Sequence, residues 1–567
     1  MIESRQIVTK STVRARGGMV TAMHPVAARA GGRVLERGGT AVDAFLAAAL
    51  AIGVAEPFMS GLGGHGSVII ARPGATPTAV DFTARSPVAA AGPGAPTSFP
   101  LAGARAVPIP TAAVGLATLA ERHATWDPVD LAEDAIRMAR DGLPLEGYTA
   151  GMIAHYAGTL ARDVGARSTF LDAAARPLRP FTSAQQPGDM LHLPAYARTL
   201  GVWAKEGAEA FTHGSIADEL ASWMREHNGF VAEEDLRGLR FKRDDAPLAL
   251  PLSTPTGDVV VHGAPGMSGF SCVAQALRIL EDLDPTRTPF GSASYYHRLA
   301  ETFRVAFFDR FRWLGDPDGP DAAPPAAFAD PALAQIRRGD LDSERRVREL
   351  PVRDLLGRYE AIVKEHGAAA GADNGCTTHL CTLDSDGVAV SGTLTLGHPF
   401  GAGVVVPGPG LTLLNTLYQF NDTPGHPNAL VAGRRAVWNG SPIVVTRGDR
   451  PFLTLGAPGA RRIPTALVQV LLALLWYGLD PQVAVDAPRL HTEGGALEID
   501  DRMTPDVLEG LRRRGHTVVP VREGVSSSNF ARPGVIALDD QGIAEGGIDA
   551  WRLGTVVGIG AVDVQTE

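Results

Sequence analysis

Apolar and polar residues change their spacing repeatedly along this chain, and the changes predict a mixture of helices and strands. Residues 24–56 read as two helices broken at Arg37-Gly38-Gly39-Thr40, with Thr40 set to cap the second, AVDAFLAAALAIGVA. Residues 67–71, SVIIA, read as a strand. Helical spacing returns over 112–142 and 215–227, a strand over 257–263, and a long helix with aromatic residues over 293–313. Around 365–376 the sequence HGAAAGADNGC is small, Gly/Ala-rich and expected to be flexible. Beyond it the pattern turns β-rich, with a strand from Thr377, a turn at Ser385-Asp386-Gly387 and a second strand. That shift sets a boundary before Thr377 and divides the chain into residues 1–376 and 377–567. The most apolar run, 466–479, is interrupted by Gln469 and is too short to span a bilayer, so it reads as a buried helix.

Composition agrees with a large mixed α/β protein. The 567 residues are 45% hydrophobic and 20% charged, enough to bury a sizeable core. A formal net charge of −10, with no dense Lys/Arg stretch, gives no support for nucleic-acid binding. The first residues, MIESRQIVTKSTVRARGG, are charged and lack the apolar core of a signal peptide. Three cysteines, Cys272, Cys376 and Cys381, are few and odd in number, as in a reducing compartment. A cytoplasmic protein that binds neither nucleic acid nor membrane is expected.

Candidate chemistry changes this picture at one place. GLGGHG at 61–66 fits G-x-G-x-x-G, but a dinucleotide site needs a strand before the glycines and a helix after them. Here the order is reversed, so that reading is rejected. The 15 histidines have no H-E-x-x-H or C-x-x-C company, and no metal or other cofactor is expected. What remains is Thr377. By propensity a Thr-Thr pair is an ordinary strand start. A threonine nucleophile needs a base, and no adjacent side chain is an obvious one. A chain supplies its own base if it is cut: breaking Cys376–Thr377 gives Thr377 a free α-amine, with an ordinary pKa of about 8, beside its own hydroxyl.

Several spaced blocks resemble the γ-glutamyltransferase family of N-terminal-nucleophile hydrolases, from about residue 17 to the end. They are GGMVTAMHPVAARAGGRVLERGGTAVDA, GLGGHG, FTHGSIADELASWMREHNGFVAEEDL, WLGDPD, CTTHLCTLDSDGVAVSGTLTLGHPFGAG, LGAPGARR and YGLDPQVAVDAPRLH. The resemblance implies a four-layer αββα sandwich, made as a precursor that cuts itself between Cys376 and Thr377. The large chain 1–376 and the small chain 377–567 then stay associated. It also implies that Thr377 is the nucleophile, that Thr395 orients it, and that Gly459 and Ala460 offer backbone N–H groups to an oxyanion. Alanine in place of glycine at 460 keeps the N–H, provided the backbone angle suits it.

The pocket departs from the same resemblance. The family's carboxylate-binding arginine directly follows an Asp-Phe pair, but Asp81-Phe82 is followed by Thr83, and the arginine comes at Arg85. In an extended segment Arg85 lies about 6.6 Å along and on the same face, so two readings stand: a displaced pocket arginine or a surface one. The family's serine pair falls on Trp438-Asn439. Its ammonium-binding acid falls at Tyr418-Gln419, and an asparagine beyond the second threonine becomes Gly397. A site without these partners binds a glutamyl zwitterion poorly. The expected activity is hydrolysis or acyl transfer on a small, non-glutamyl amide. A γ-glutamyl hydrolase with a rearranged pocket, and a non-catalytic binding homologue, are the alternatives.

Overall fold

The computed structural model describes residues 8–353 and 376–562, apart from 93–97, 184, 242–243, 320–321, 424, 525–526 and 528. The Gly/Ala-rich approach at 365–375 thus lies outside the described residues.

The centre of the fold is a hairpin. Cys376–Asp384 and Ala389–Gly397 pair antiparallel across the Ser385-Asp386-Gly387 turn, where Gly387 has φ 82°. The Asp384 carboxylate accepts from the N–H groups of Asp386 and Val388, which closes the turn, and from that of Ala41 at 2.8 Å. The last bond docks the start of helix Ala41–Ala55 on the hairpin. That helix begins as its sequence predicts, with Thr40 and Asp43 capping each other reciprocally.

On either side of the hairpin the sheet is extended to six strands, in the order Thr555–Gly558, Gly18–Ala22, Cys376–Asp384, Ala389–Gly397, His65–Ala71 and Thr78–Phe82. A second sheet has seven: Val13–Ala15, Ala544–Ile548, Gly534–Leu538, Arg450–Gly456, Ile443–Arg447, Gly257–Gly263 and Leu248–Thr254. Alternation along the strands sorts their side chains into three apolar layers. Leu380, Val390, Leu394 and Val68 meet Phe45, Leu46 and Leu50 of the Ala41–Ala55 helix on one outer face. Val261, Ile443 and Leu455 meet helices Phe270–Leu280, Ala293–Trp313 and Arg462–Leu475 on the other. Met19, Ile69, Cys381, Leu383, Val444 and Ile536 fill the space between the sheets. Helix, sheet, sheet, helix is the four-layer sandwich the resemblance implies.

Most predicted elements are found. Residues 112–142 form two helices, Ala112–His123 and Pro128–Asp141, because Asp127 caps a new start with proline at its first position. The apolar run ends as helix earlier than its hydrophobicity suggests, at Leu475. Each side of the Cys376–Thr377 bond contributes strands to both sheets, so the two segments are interleaved rather than separate domains. No helix among the described residues is long and apolar enough to cross a membrane.

Candidate functional site

Register builds the site. Thr377 lies opposite Thr395, and Thr395 lies opposite His65 on its other side. Residues 377 and 379 share the face of Cys381 and Leu383, so this row looks toward the second sheet. The Thr377 hydroxyl donates to Thr395 Oγ1 at 3.3 Å. The Thr395 hydroxyl donates in turn to the carbonyl oxygen of Cys376, and the Gly397 N–H donates to Thr395 Oγ1 at 2.9 Å. Both threonines are buried, at 6% and 5% exposure. A β-bulge between Thr395 and Gly397 brings Gly397 across from Cys376. Only glycine fits there: φ is 92°, and a Cβ would lie 2.4 Å from Asn415 Oδ1. The space of a side chain at 397 is taken by Asn415, which accepts from His398 N–H and donates to Leu101 O.

The row carries no charge. Burial pushes the His65 imidazole down to about 3, and His379, one row deeper, likewise to about 3, so both are neutral at ordinary pH. His379 is satisfied by Thr393 Oγ1 at 2.9 Å and Cys381 Sγ at 3.2 Å, and its ring lies where a Cβ on Gly456 would sit. His65 is different. It is 1% exposed, and neither ring nitrogen has a hydrogen-bond partner among the described residues. Burial also pushes the Cys376 thiol well up, so it is not a thiolate.

Gly459 and Ala460 follow strand Arg450–Gly456 beyond its contact with His379. Among the described residues neither N–H donates a hydrogen bond. Ala460 has φ 55°, a left-handed angle that favours glycine and costs alanine about 1–2 kcal/mol.

The remaining sequence-predicted residues are scattered in their bonding. Trp438 is buried at 3% exposure, and its indole meets the His65 ring edge to face at 4.9 Å. Asn439 accepts on Oδ1 from Arg310 Nη2 at 2.9 Å, so that oxygen is already engaged. Gln419 ends the 3-10 turn Thr416–Gln419, and its side-chain amide donates to the neighbouring Tyr418 hydroxyl at 3.5 Å. Arg85 is half-buried and donates from Nη1 to the Gly433 carbonyl at 3.1 Å.

Three residues escape sequence reasoning. His65 sits in a motif read for its glycines, though its two-residue spacing from Ser67 and Ile69 puts it on the inner face. Arg435 bonds Asp81 at 3.3 Å and Asp316 at 3.0 Å, from segments with no sequence relation. Burial opposes the Arg435 charge, but the two carboxylates outweigh burial and push its pKa up. Glu56 is 2% exposed, with Oε2 unpartnered among the described residues, and burial pushes its carboxyl up to about 7. Its turn is tied to the end of the Thr395 strand by Leu396 N–H to Met59 O and Phe400 N–H to Phe58 O.

The fold finds its counterparts in known proteins. The gamma-glutamyltranspeptidase family model matches residues 27–559, and the chain belongs to this family. An acylase ACY 1 proenzyme of Pseudomonas sp. strain SE83 is 31% identical over 96% of this chain and 93% of its own. A glutathione hydrolase proenzyme of Bacillus subtilis strain 168 is 28% identical over 96% of this chain and 92% of its own. The crystal structure of cephalosporin acylase from Bacillus halodurans superposes with a TM-score of 0.85 at 26% identity, covering 98% of each chain. Members of this family are hydrolases and transferases, and the chain is similar to its acylases and its glutathione hydrolases alike.

Proposed function

We propose that the protein is a self-processing amide hydrolase or acyltransferase that uses Thr377 as an N-terminal nucleophile on a small, non-glutamyl amide. The observation that carries this reading is the chain of bonds Thr377 Oγ1 to Thr395 Oγ1 to Cys376 O, because the oxygen it ends on belongs to the peptide to be cut. In the first stage Thr377 Oγ1 attacks the Cys376 carbonyl carbon. The Thr395 hydroxyl stabilises the charge that develops on the carbonyl oxygen. The C–N bond breaks as the Thr377 nitrogen takes a proton, leaving an ester between Cys376 and Thr377 Oγ1. Water then hydrolyses the ester, its hydroxyl going to the Cys376 carboxylate and its proton to Thr377 Oγ1.

In the second stage the freed α-amine accepts the proton from Thr377 Oγ1 as that oxygen attacks the substrate amide. The N–H groups of Gly459 and Ala460, which have no acceptor among the described residues, suit the oxyanion. The leaving amine takes the proton, and water or a second amine releases the acyl group. Cys376 is a poor alternative nucleophile, since burial holds its thiol protonated. A non-glutamyl substrate is favoured by Trp438 and Asn439, one an indole and the other already bonded to Arg310. Incubating the purified protein with γ-glutamyl-p-nitroanilide and a set of simple acyl p-nitroanilides tests this. Turnover of an acyl anilide but not the glutamyl one is expected; the reverse order sinks the substrate assignment.

A further inference from the structure

The Thr377–Thr395 row continues to His65, whose ring nitrogens have no hydrogen-bond partner among the described residues. Directly opposite residues on paired strands have Cβ atoms about 5 Å apart, so the imidazole stands one place from Thr395 and two from the nucleophile. No charged group perturbs it, as burial alone accounts for its low proton affinity. A neutral imidazole has one donor and one acceptor, and a buried pair left unmade is costly unless something supplies the partners. The ring is held in place rather than loose. It packs edge to face on Trp438, whose backbone N–H donates to Met267 O at 3.1 Å and whose backbone carbonyl accepts from Arg310 Nη2 at 2.9 Å. Two strands from the nucleophile, on the same row, there is thus a neutral hydrogen-bonding ring backed by a flat apolar wall.

We propose that His65 and Trp438 form the acyl-binding pocket of the enzyme, and that it selects an uncharged, flat acyl group bearing a neutral hydrogen-bonding atom for His65. This rests on the reading of Thr377 as nucleophile and names the substrate class of that same site. Trp438 contributes apolar contact with the acyl plane, and His65 donates to or accepts from its polar atom. A second carboxylate or an ammonium on the acyl group would be buried against groups that cannot balance its charge.

The test compares four anilides on the self-cleaved protein: phenylacetyl-p-nitroanilide and its three pyridylacetyl isosteres, which differ only by one ring nitrogen. The wild type should favour at least one pyridylacetyl isomer over phenylacetyl by about tenfold or more in kcat/KM, the scale of one buried hydrogen bond. In His65→Leu that preference should vanish, the favoured pyridylacetyl isomer losing about tenfold more kcat/KM than phenylacetyl does, and His65→Asn should restore part of it. Equal rates for all four anilides in the wild type overturn the proposal, as does a His65→Leu loss that is the same for every acyl group. Should His65→Leu fail to fold, the wild-type ratio decides alone. A cleaved protein that turns over none of the four overturns the substrate class, whereas an uncut wild-type chain overturns the Thr377 reading beneath it.

Discussion

Two buried polar regions lie on the inner face of the same sheet, one row apart, and they are built on opposite terms. The Thr377–Thr395–His65 row is uncharged and leaves both nitrogens of His65 without a hydrogen bond among the described residues. The Asp81–Arg435–Asp316 cluster joins two carboxylates to one guanidinium and is densely bonded. Asp81 accepts from Thr83 N–H and hydroxyl and from Arg435, while Asp316 takes the Arg435 backbone N–H as well as its guanidinium. Burial raises the Asp81 carboxyl more than Arg435 and Thr83 lower it; Asp316 is buried too, but Arg435 brings it below the usual range. The satisfied cluster ties the loop before Trp438 to the sheet. Of the two regions, the row with His65 is the one where binding would add bonds that the described residues do not supply.

Substitutions should therefore divide by region. The largest effect is expected from Thr377→Ala, which removes the attacking oxygen: the chain stays in one piece, and amide turnover falls at least about 10³-fold. Stability should be unchanged in thermal melts, since one small hydroxyl is lost. Thr395→Val keeps shape but removes the donor to the Cys376 carbonyl, and self-cleavage followed on gels should slow by about 10²–10³-fold. Full-speed cleavage in this variant would break the link between the row and the chemistry.

Arg435→Met does the reverse. It strands two buried carboxylates, and chemical denaturation should report a loss of about 3–5 kcal/mol. Material that remains folded should still cut itself. Loss of cleavage without loss of stability would erase the distinction between the regions.

The hairpin and the Thr40 cap were legible in sequence because their signals are local: β-branched runs, a Ser-Asp-Gly turn, a Thr with Asp three residues on. Thr377 and Thr395 were legible through resemblance to a family. The rest depends on pairings between distant segments. Asp81 and Arg435 are 354 residues apart, and nothing in either neighbourhood announces the other. His65 becomes a neighbour of Thr395 only through strand register, which periodicity assigns to a face but not to a partner. The expectation that Ala460 keeps a glycine's role rested on its backbone angle, and that angle proves to be one that favours glycine.

A smaller effect is expected from Glu56, beside the row but outside it. Burial holds its carboxyl near 7, with Glu146 adding to the rise and Arg552 opposing it, against 4.5 for the free group. Between those values the folded state binds the extra proton, so this group's contribution is full below about pH 4.5 and is lost as pH rises through 7. Glu56→Gln should remove that loss, stabilising the protein relative to wild type above pH 7 by at most about 3 kcal/mol. Melting both proteins from pH 5 to 8 checks this, and parallel curves would contradict it. Arg85→Gln should matter least. Its guanidinium bonds a loop carbonyl near the surface, and a change in kcat/KM under about threefold is expected for neutral and anionic amides alike. A large loss confined to anionic amides would instead bring Arg85 into the pocket.

The most direct test of the central claim is the intact mass and N-terminal sequence of the purified wild-type protein. Two polypeptides are expected, 1–376 and 377–567, the second beginning Thr-Thr-His-Leu. A single uncut chain, or a small chain beginning at Cys376 or elsewhere, would contradict it.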